Sequence, residues 1–157
     1  MAITLADLLN PKHVQLTTRS RSAETAIREL VTLLLSDEPV AEPETFADQI
    51  IARERANPSE VEHGVVFPHA RTDLVERIVL AIGRSRAGIR FGKTAQRANL
   101  IFLIGVPQRL VSDYLVCVGA LARIARSDTI RSELLRAPTP DEFIAILRTA
   151  SSPEGAV

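Results

Sequence analysis

His69 stands directly after the segment Gly64-Val65-Val66-Phe67-Pro68 and is followed by Ala70-Arg71. An imidazole in that place can act as a nucleophile, a general base or a metal ligand. The alternative is structural: a ring at a strand end that only hydrogen-bonds a neighbouring carbonyl. Nearby cations help to choose. Arg71 lies two residues on, and Arg53 lies on the preceding helical segment. Arginine suits a metal site poorly, because a ligating imidazole stays neutral and favours an acidic outer shell. It suits an incoming anion well, since guanidinium pairs with phosphate in a fixed fork. These residue types lean to phosphoryl chemistry over metal binding.

The other candidates read as structural. His63 precedes His69 by six residues. On one extended strand both point to the same face, about 20 Å apart and too distant to share a metal. His13 lies in a turn-like Pro-Lys-His, and both His13 and His63 read as solvated surface histidines. Cys117, three residues after Tyr114, reads as a buried, inert thiol in mid-helix. Arg84, Arg86, Arg90 and Arg97 read as a solvated surface, with a docking face for an acidic partner as the alternative. His-Glu-x-x-His, Gly-x-Gly-x-x-Gly, Gly-x-x-x-x-Gly-Lys-Ser/Thr and Gly-x-Ser-x-Gly do not occur, which disfavours zinc hydrolases, nucleotide-binding enzymes and serine hydrolases. No metal and no cofactor is expected.

The chain of 157 residues is 46% hydrophobic and 24% charged, an ordinary globular composition with room for one core-bearing domain. Its 19 basic and 19 acidic residues cancel, so no bulk charge draws it to nucleic acid or an anionic membrane. Aromatics make up 4% and tryptophan is absent, an unpromising basis for base stacking. A single cysteine rules out an internal disulfide and fits a reducing compartment. Neither a signal peptide nor a run of about 18 uncharged apolar residues is present. The expectation is a cytoplasmic domain without membrane insertion.

Positioning His69 requires a stiff strand. Gly64 to Phe67 reads as buried, and Pro68, lacking an N–H, should end its pairing. Leu5 to Leu9 forms a short helix capped at Thr4, and Val14 to Thr17 a short strand. Ser22 caps a helix whose apolar face is Ala23, Ala26, Ile27, Leu30, Val31 and Leu34. Pro43-Glu44-Thr45 opens another, running to Arg53-Glu54-Arg55. Ile78 to Ile82 and Leu100 to Ile104 read as strands buried on two faces, with Gly88 to Gly92 as an edge element or loop. A helix begins near Ser112, a second is capped by Asp128, and Thr139-Pro140-Asp141-Glu142 starts the last. The fold class is α/β, a single domain with a mixed central β-sheet flanked by helices. Residues 1-150 form the domain and 151-157 a frayed tail. The strand ending near residue 68 and that starting at residue 78 are expected as antiparallel neighbours, because the connection cannot house a crossover helix.

Arg53-Glu54-Arg55, a short turn, and Gly64-Val65-Val66-Phe67-Pro68-His69 resemble the active-site stretch of the enzyme IIA domains of the fructose–mannitol and nitrogen-regulatory phosphotransferase system. That family's usual wording is Arg-Glu-Lys, a small-residue turn and Gly-Ile-Ala-Ile-Pro-His. The order of the N-terminal helices and of the C-terminal half follows the family too, so the resemblance spans nearly the whole chain. It implies that His69 accepts a phosphoryl group from the phosphocarrier protein HPr or a paralogue and hands it on, to an enzyme IIB or in regulating a transporter or kinase. Arg53 would neutralise the phosphoryl charge, with Arg71 as a second cation. Tyr114 replaces the family's common second histidine: here the segment reads Tyr114-Leu115-Val116-Cys117-Val118-Gly119-Ala120-Leu121-Ala122. A phenol can donate a hydrogen bond to a phosphoryl oxygen. Glu60 and Glu62 replace a Gly-x-Gly, and carboxylates close to the site would repel the incoming anion. With no attached membrane or enzyme IIB portion, a regulatory role is expected over sugar uptake. The alternative is a phosphorylation-deficient module of the same ancestry that acts by contact alone.

Overall fold

The computed structural model describes residues 2–93 and 95–152. A five-stranded mixed sheet lies between two helical layers. Its strands are β1 (Val14–Gln15), β2 (Val65–Val66), β3 (His69–Arg71), β4 (Val79–Arg90) and β5 (Arg97–Val106). The helices are α1 (Ala23–Leu34), α2 (Pro43–Ala56), α3 (Val111–Ala125), α4 (Asp128–Arg136) and α5 (Pro140–Ser151). β1 runs parallel to β4, β4 antiparallel to β5, and both β2 and β3 parallel to β5.

The period of two in β5 divides the core. Ile101 and Leu103 face α1 and α2, packing with Ile27, Leu30, Phe46 and Ile50. Leu100, Phe102 and Ile104 face the other layer, with Leu121, Phe143 and Leu147. Helix boundaries follow the capping chemistry. Ser22 accepts from the Thr25 N–H at the start of α1, and Thr139 accepts from the Glu142 N–H at the start of α5. α4 is capped one residue earlier than expected, by Ser127, whose Oγ accepts from the Ile130 N–H. α5 takes in Ser151 of the expected tail, while residues 153–157 lie outside the described residues.

Several expectations are corrected. β2 and β4 do run in opposite directions, but β5 separates them, so they are not neighbours. Of the segment from Gly88 to Gly92, expected as an edge element or loop, Gly88 to Arg90 belong to β4 beyond a register shift after Arg84; Phe91 just past the strand is fully buried, and Gly92 begins the turn to β5. His13 is 3% exposed, and its Nε2 lies 2.5 Å from the Asp37 carboxylate. Its ring thus pins the 3-10 turn Pro11–His13 to the chain just past α1. Arg84 is also buried, its guanidinium donating to the carbonyls of Leu16, Leu134 and Ala137.

Candidate functional site

α2 presents Arg53 and Arg55 in its last turn, where cations complement the negative end of the helix dipole. The two then diverge. Arg55 donates from Nε to Glu24 of α1 at 2.7 Å. The Arg53 guanidinium has no hydrogen bond or ion pair among the described residues, and Arg53 lines a cavity of about 130 Å³ with His69, Asn57, Ser59 and Pro68. Glu54 shapes this cavity by accepting the Ser59 N–H at 2.8 and 3.1 Å, which folds the turn back over the helix end.

Pro68 interrupts pairing without ending it. It supplies no N–H, but its carbonyl accepts from Ile104 at 3.0 Å, and pairing with β5 resumes at His69, opposite Ile104. His69 therefore opens a second short strand, where sequence reasoning expects it just past the end of the first. A residue before proline is held extended, and the Phe67 carbonyl sits 2.9 Å from His69 Nδ1. A carbonyl only accepts, so Nδ1 carries the proton and Nε2 keeps its lone pair. Burial lowers the His69 pKa. The Phe67 carbonyl opposes that shift, Arg53 and Arg71 reinforce it, and Glu54 weakly counters it. The ring is neutral at pH 7.

Tyr114, in the first turns of α3, lies with its ring centroid 5.6 Å from that of His69 at 34°. Burial raises the Tyr114 pKa, against the pull of Arg53 and Arg71, so the phenol keeps its proton and can donate. Phe67 stacks on Phe102 at 5.5 Å and anchors the strand beneath.

His69, Arg53 and Tyr114 thus come together, with Arg71 exposed on β3 and acting on both rings through its charge. Glu60 and Glu62 are exposed, line no part of the cavity and are not among the charges that shift His69. The carboxylate beside the ring is Glu54. His63 is exposed in a left-handed turn conformation, φ 54°, rather than on a strand with His69. Cys117 is buried, its thiol pushed up to about 11 by burial and by Asp113 and Asp7. The Phe67 carbonyl and the Glu54–Ser59 bond are missed by side-chain motifs. The Phe-Pro dipeptide is the signal for the first.

Among the described residues no group of three or more His, Cys, Asp or Glu stands ready to hold a metal ion. No helix among them is long and apolar enough to cross a membrane.

The sequence is 33% identical over 115 residues to the PTS system fructose-specific EIIA component of Haloferax volcanii, covering 73% of this chain and 75% of that protein. It is 27% identical over 144 residues to the PTS system fructose-specific EIIABC component of Bacillus subtilis, covering 91% of this chain but spanning only 23% of that longer protein. The fold is shared with the nitrogen regulatory protein IIA-Ntr of Neisseria meningitidis, at TM-score 0.78, 24% identity and coverage of 91% and 98%. It is also shared with enzyme IIA of the Escherichia coli mannitol system in its complex with phosphorylated enzyme IIB, at TM-score 0.77, 20% identity and coverage of 89% and 96%. The family described as "Phosphoenolpyruvate-dependent sugar phosphotransferase system, EIIA 2" matches residues 7–150, and the chain belongs to that family.

Proposed function

We propose that this EIIA domain carries a phosphoryl group on Nε2 of His69, received from HPr or a paralogue and passed to an enzyme IIB or a regulated transporter or kinase. The observation that carries the reading is the 2.9 Å contact between His69 Nδ1 and the Phe67 carbonyl, in a cavity lined by an uncommitted Arg53. It leaves Nε2 as the nucleophile, and the lowered pKa keeps that nitrogen unprotonated. In transfer a P–N bond forms at Nε2 as the P–N bond to the donor's phosphohistidine breaks. The charge left on the His69 ring is shared with Nδ1–H and steadied by the Phe67 carbonyl. Arg53 meets the phosphoryl oxygens, with Tyr114 as a neutral donor beside it, so catalysis is positioning and charge neutralisation.

Leu115 and Val116, 58% and 64% exposed, follow Tyr114 directly on α3 and offer an apolar rim on which a carrier protein can dock. Such carriers work in the cytoplasm, and this reading puts the domain there. Incubation with phosphoenolpyruvate and the general phosphotransferase components should give an acid-labile label on the wild type and none on His69→Gln. Equal labelling of both overturns the assignment.

A second reading rests on Tyr114, which stands against His69 in place of an imidazole: a module that binds its targets without carrying phosphate. An unlabelled wild type that becomes labelled as Tyr114→His selects this reading. A labelled wild type rejects it.

A further inference from the structure

At the other end of the sheet a cavity of about 740 Å³ opens between the loop from β1 to α1 and the register shift of β4. His69 pairs with Ile104, whereas Arg90 pairs with Arg97, seven positions earlier on β5. At about 3.3 Å per residue the two sites lie roughly 20 Å apart along the strand. Arg19, Arg21, Arg84, Arg86 and Arg97 line the cavity, and no acidic residue does. In a chain whose charges cancel overall, five unopposed cations around one hollow are a sharp local imbalance.

The pairing of these arginines makes the imbalance costly. None forms an ion pair among the described residues. Arg84 is 8% exposed and held by three carbonyls, so its hydrogen bonds are met while its charge is not. A buried charge without a counter-ion is unfavourable even when hydrogen-bonded. Arg86 stands close enough to depress the Arg84 pKa further, after burial. The Glu29 carboxylate is occupied by the Arg19 and Ser20 N–H groups and the Ser20 hydroxyl, and it holds the loop without lining the cavity.

The walls are fixed independently of His69. The Thr18 hydroxyl and N–H both donate to the Arg84 carbonyl. Asn99 donates to the carbonyls of Ser85 and Arg86, and Ser85 Oγ accepts from the Gly88 N–H. Gly88 has φ 81°, and a Cβ there would stand 2.6 Å from Arg97 Cβ. Only glycine lets the turn close against Arg97.

We propose that this hollow is a binding site for a small phosphorylated metabolite carrying at least two negative charges. The volume is that of a small-molecule site, and guanidinium forks match phosphate oxygens. Inorganic pyrophosphate is the probe, titrated calorimetrically at low salt into the full chain, with citrate as a carboxylate control and a poly-glutamate peptide as a stand-in for an acidic protein segment. Saturable pyrophosphate binding is expected, at least ten-fold weaker in Arg19→Gln/Arg86→Gln and unchanged in Arg53→Gln. Both altered arginines of the double variant are exposed, and their side chains make no bonds within the fold. Far-ultraviolet dichroism verifies that fold. Failure to saturate below about 1 mM overturns the proposal, as does loss of binding in Arg53→Gln, which would assign the ion to the His69 cavity. Equal affinity for citrate removes the phosphate assignment. Binding of the peptide in place of pyrophosphate gives the hollow to a protein partner and likewise overturns it.

Discussion

On the reading proposed above, the bond from His69 Nδ1 to the Phe67 carbonyl decides which nitrogen is the nucleophile, and the surrounding charges decide over what pH range it is unprotonated. Burial, then Arg53 and Arg71, disfavour a proton on this ring. As pH falls below the unfolded value of about 6.5, the unfolded chain therefore takes up a proton that the fold resists, and His69 subtracts stability on the acid side only. Nuclear magnetic resonance should place the His69 titration midpoint below 6.5. In Arg53→Gln the midpoint should rise yet stay below that value, because burial leads the causes. A midpoint unmoved by the substitution would show that Arg53 does not face the ring. The same variant should slow phosphoryl transfer by about 10²-fold, as loss of one preorganised charge does elsewhere, measured by quenched-flow labelling. At this scale His69, with Arg71 and Arg53 as nearby cations, is legible from residue types and spacing, whereas Tyr114 is picked out only by the family resemblance, because a lone tyrosine in an apolar helix announces no chemistry of its own. His13 reads as solvated in the sequence because its partner, Asp37, lies 24 positions away and no local pattern announces it.

The packing of α2, which carries Arg53, on the sheet beside His69 depends on Gly105, opposite Ala70 in β3 and beneath Phe46. A Cβ on Gly105 would stand 2.5 Å from Phe46 Cζ of α2 and 2.9 Å from Val79 Cγ2. Gly105→Ala should cost about 1–3 kcal/mol, read by urea denaturation, and should slow transfer by shifting α2 with its arginine. Phe46→Leu in the same background should recover part of both losses, and independent losses would refute the coupling. Helices were readable because Ser22 and Thr139 announce their own starts. β3 was not: His69-Ala70-Arg71 lacks apolar alternation, and its pairing is imposed by β5, more than thirty residues further along the chain. The β4 register shift escaped for a related reason. Gly88 reads as a loop signal until the ladder that continues through Ile89 is seen.

Across the whole molecule, the counting of connection lengths gave the relative direction of β2 and β4 but could not reveal that β5 inserts between them. Only long-range pairing decides that. Another long-range contact contributes to the acid sensitivity of the fold. Asp37 is held below the usual carboxylate range chiefly by its hydrogen bond with His13. Its contribution is present above the unfolded value near 3.8 and lost as pH falls through the folded one. Asp37→Ala should destabilise the neutral-pH fold by about 1–3 kcal/mol, the cost of stranding a buried donor, and flatten the acid limb of the stability profile. Chemical denaturation at a series of pH values measures both. Tyr114 carries one more consequence. It is the sole tyrosine in a chain without tryptophan, so near-ultraviolet emission from the protein comes from one phenol, 5.6 Å from the ring at the centre of the site. A dianion arriving on that ring alters the phenol's surroundings, and the native molecule thereby brings its own label-free optical gauge of site occupancy.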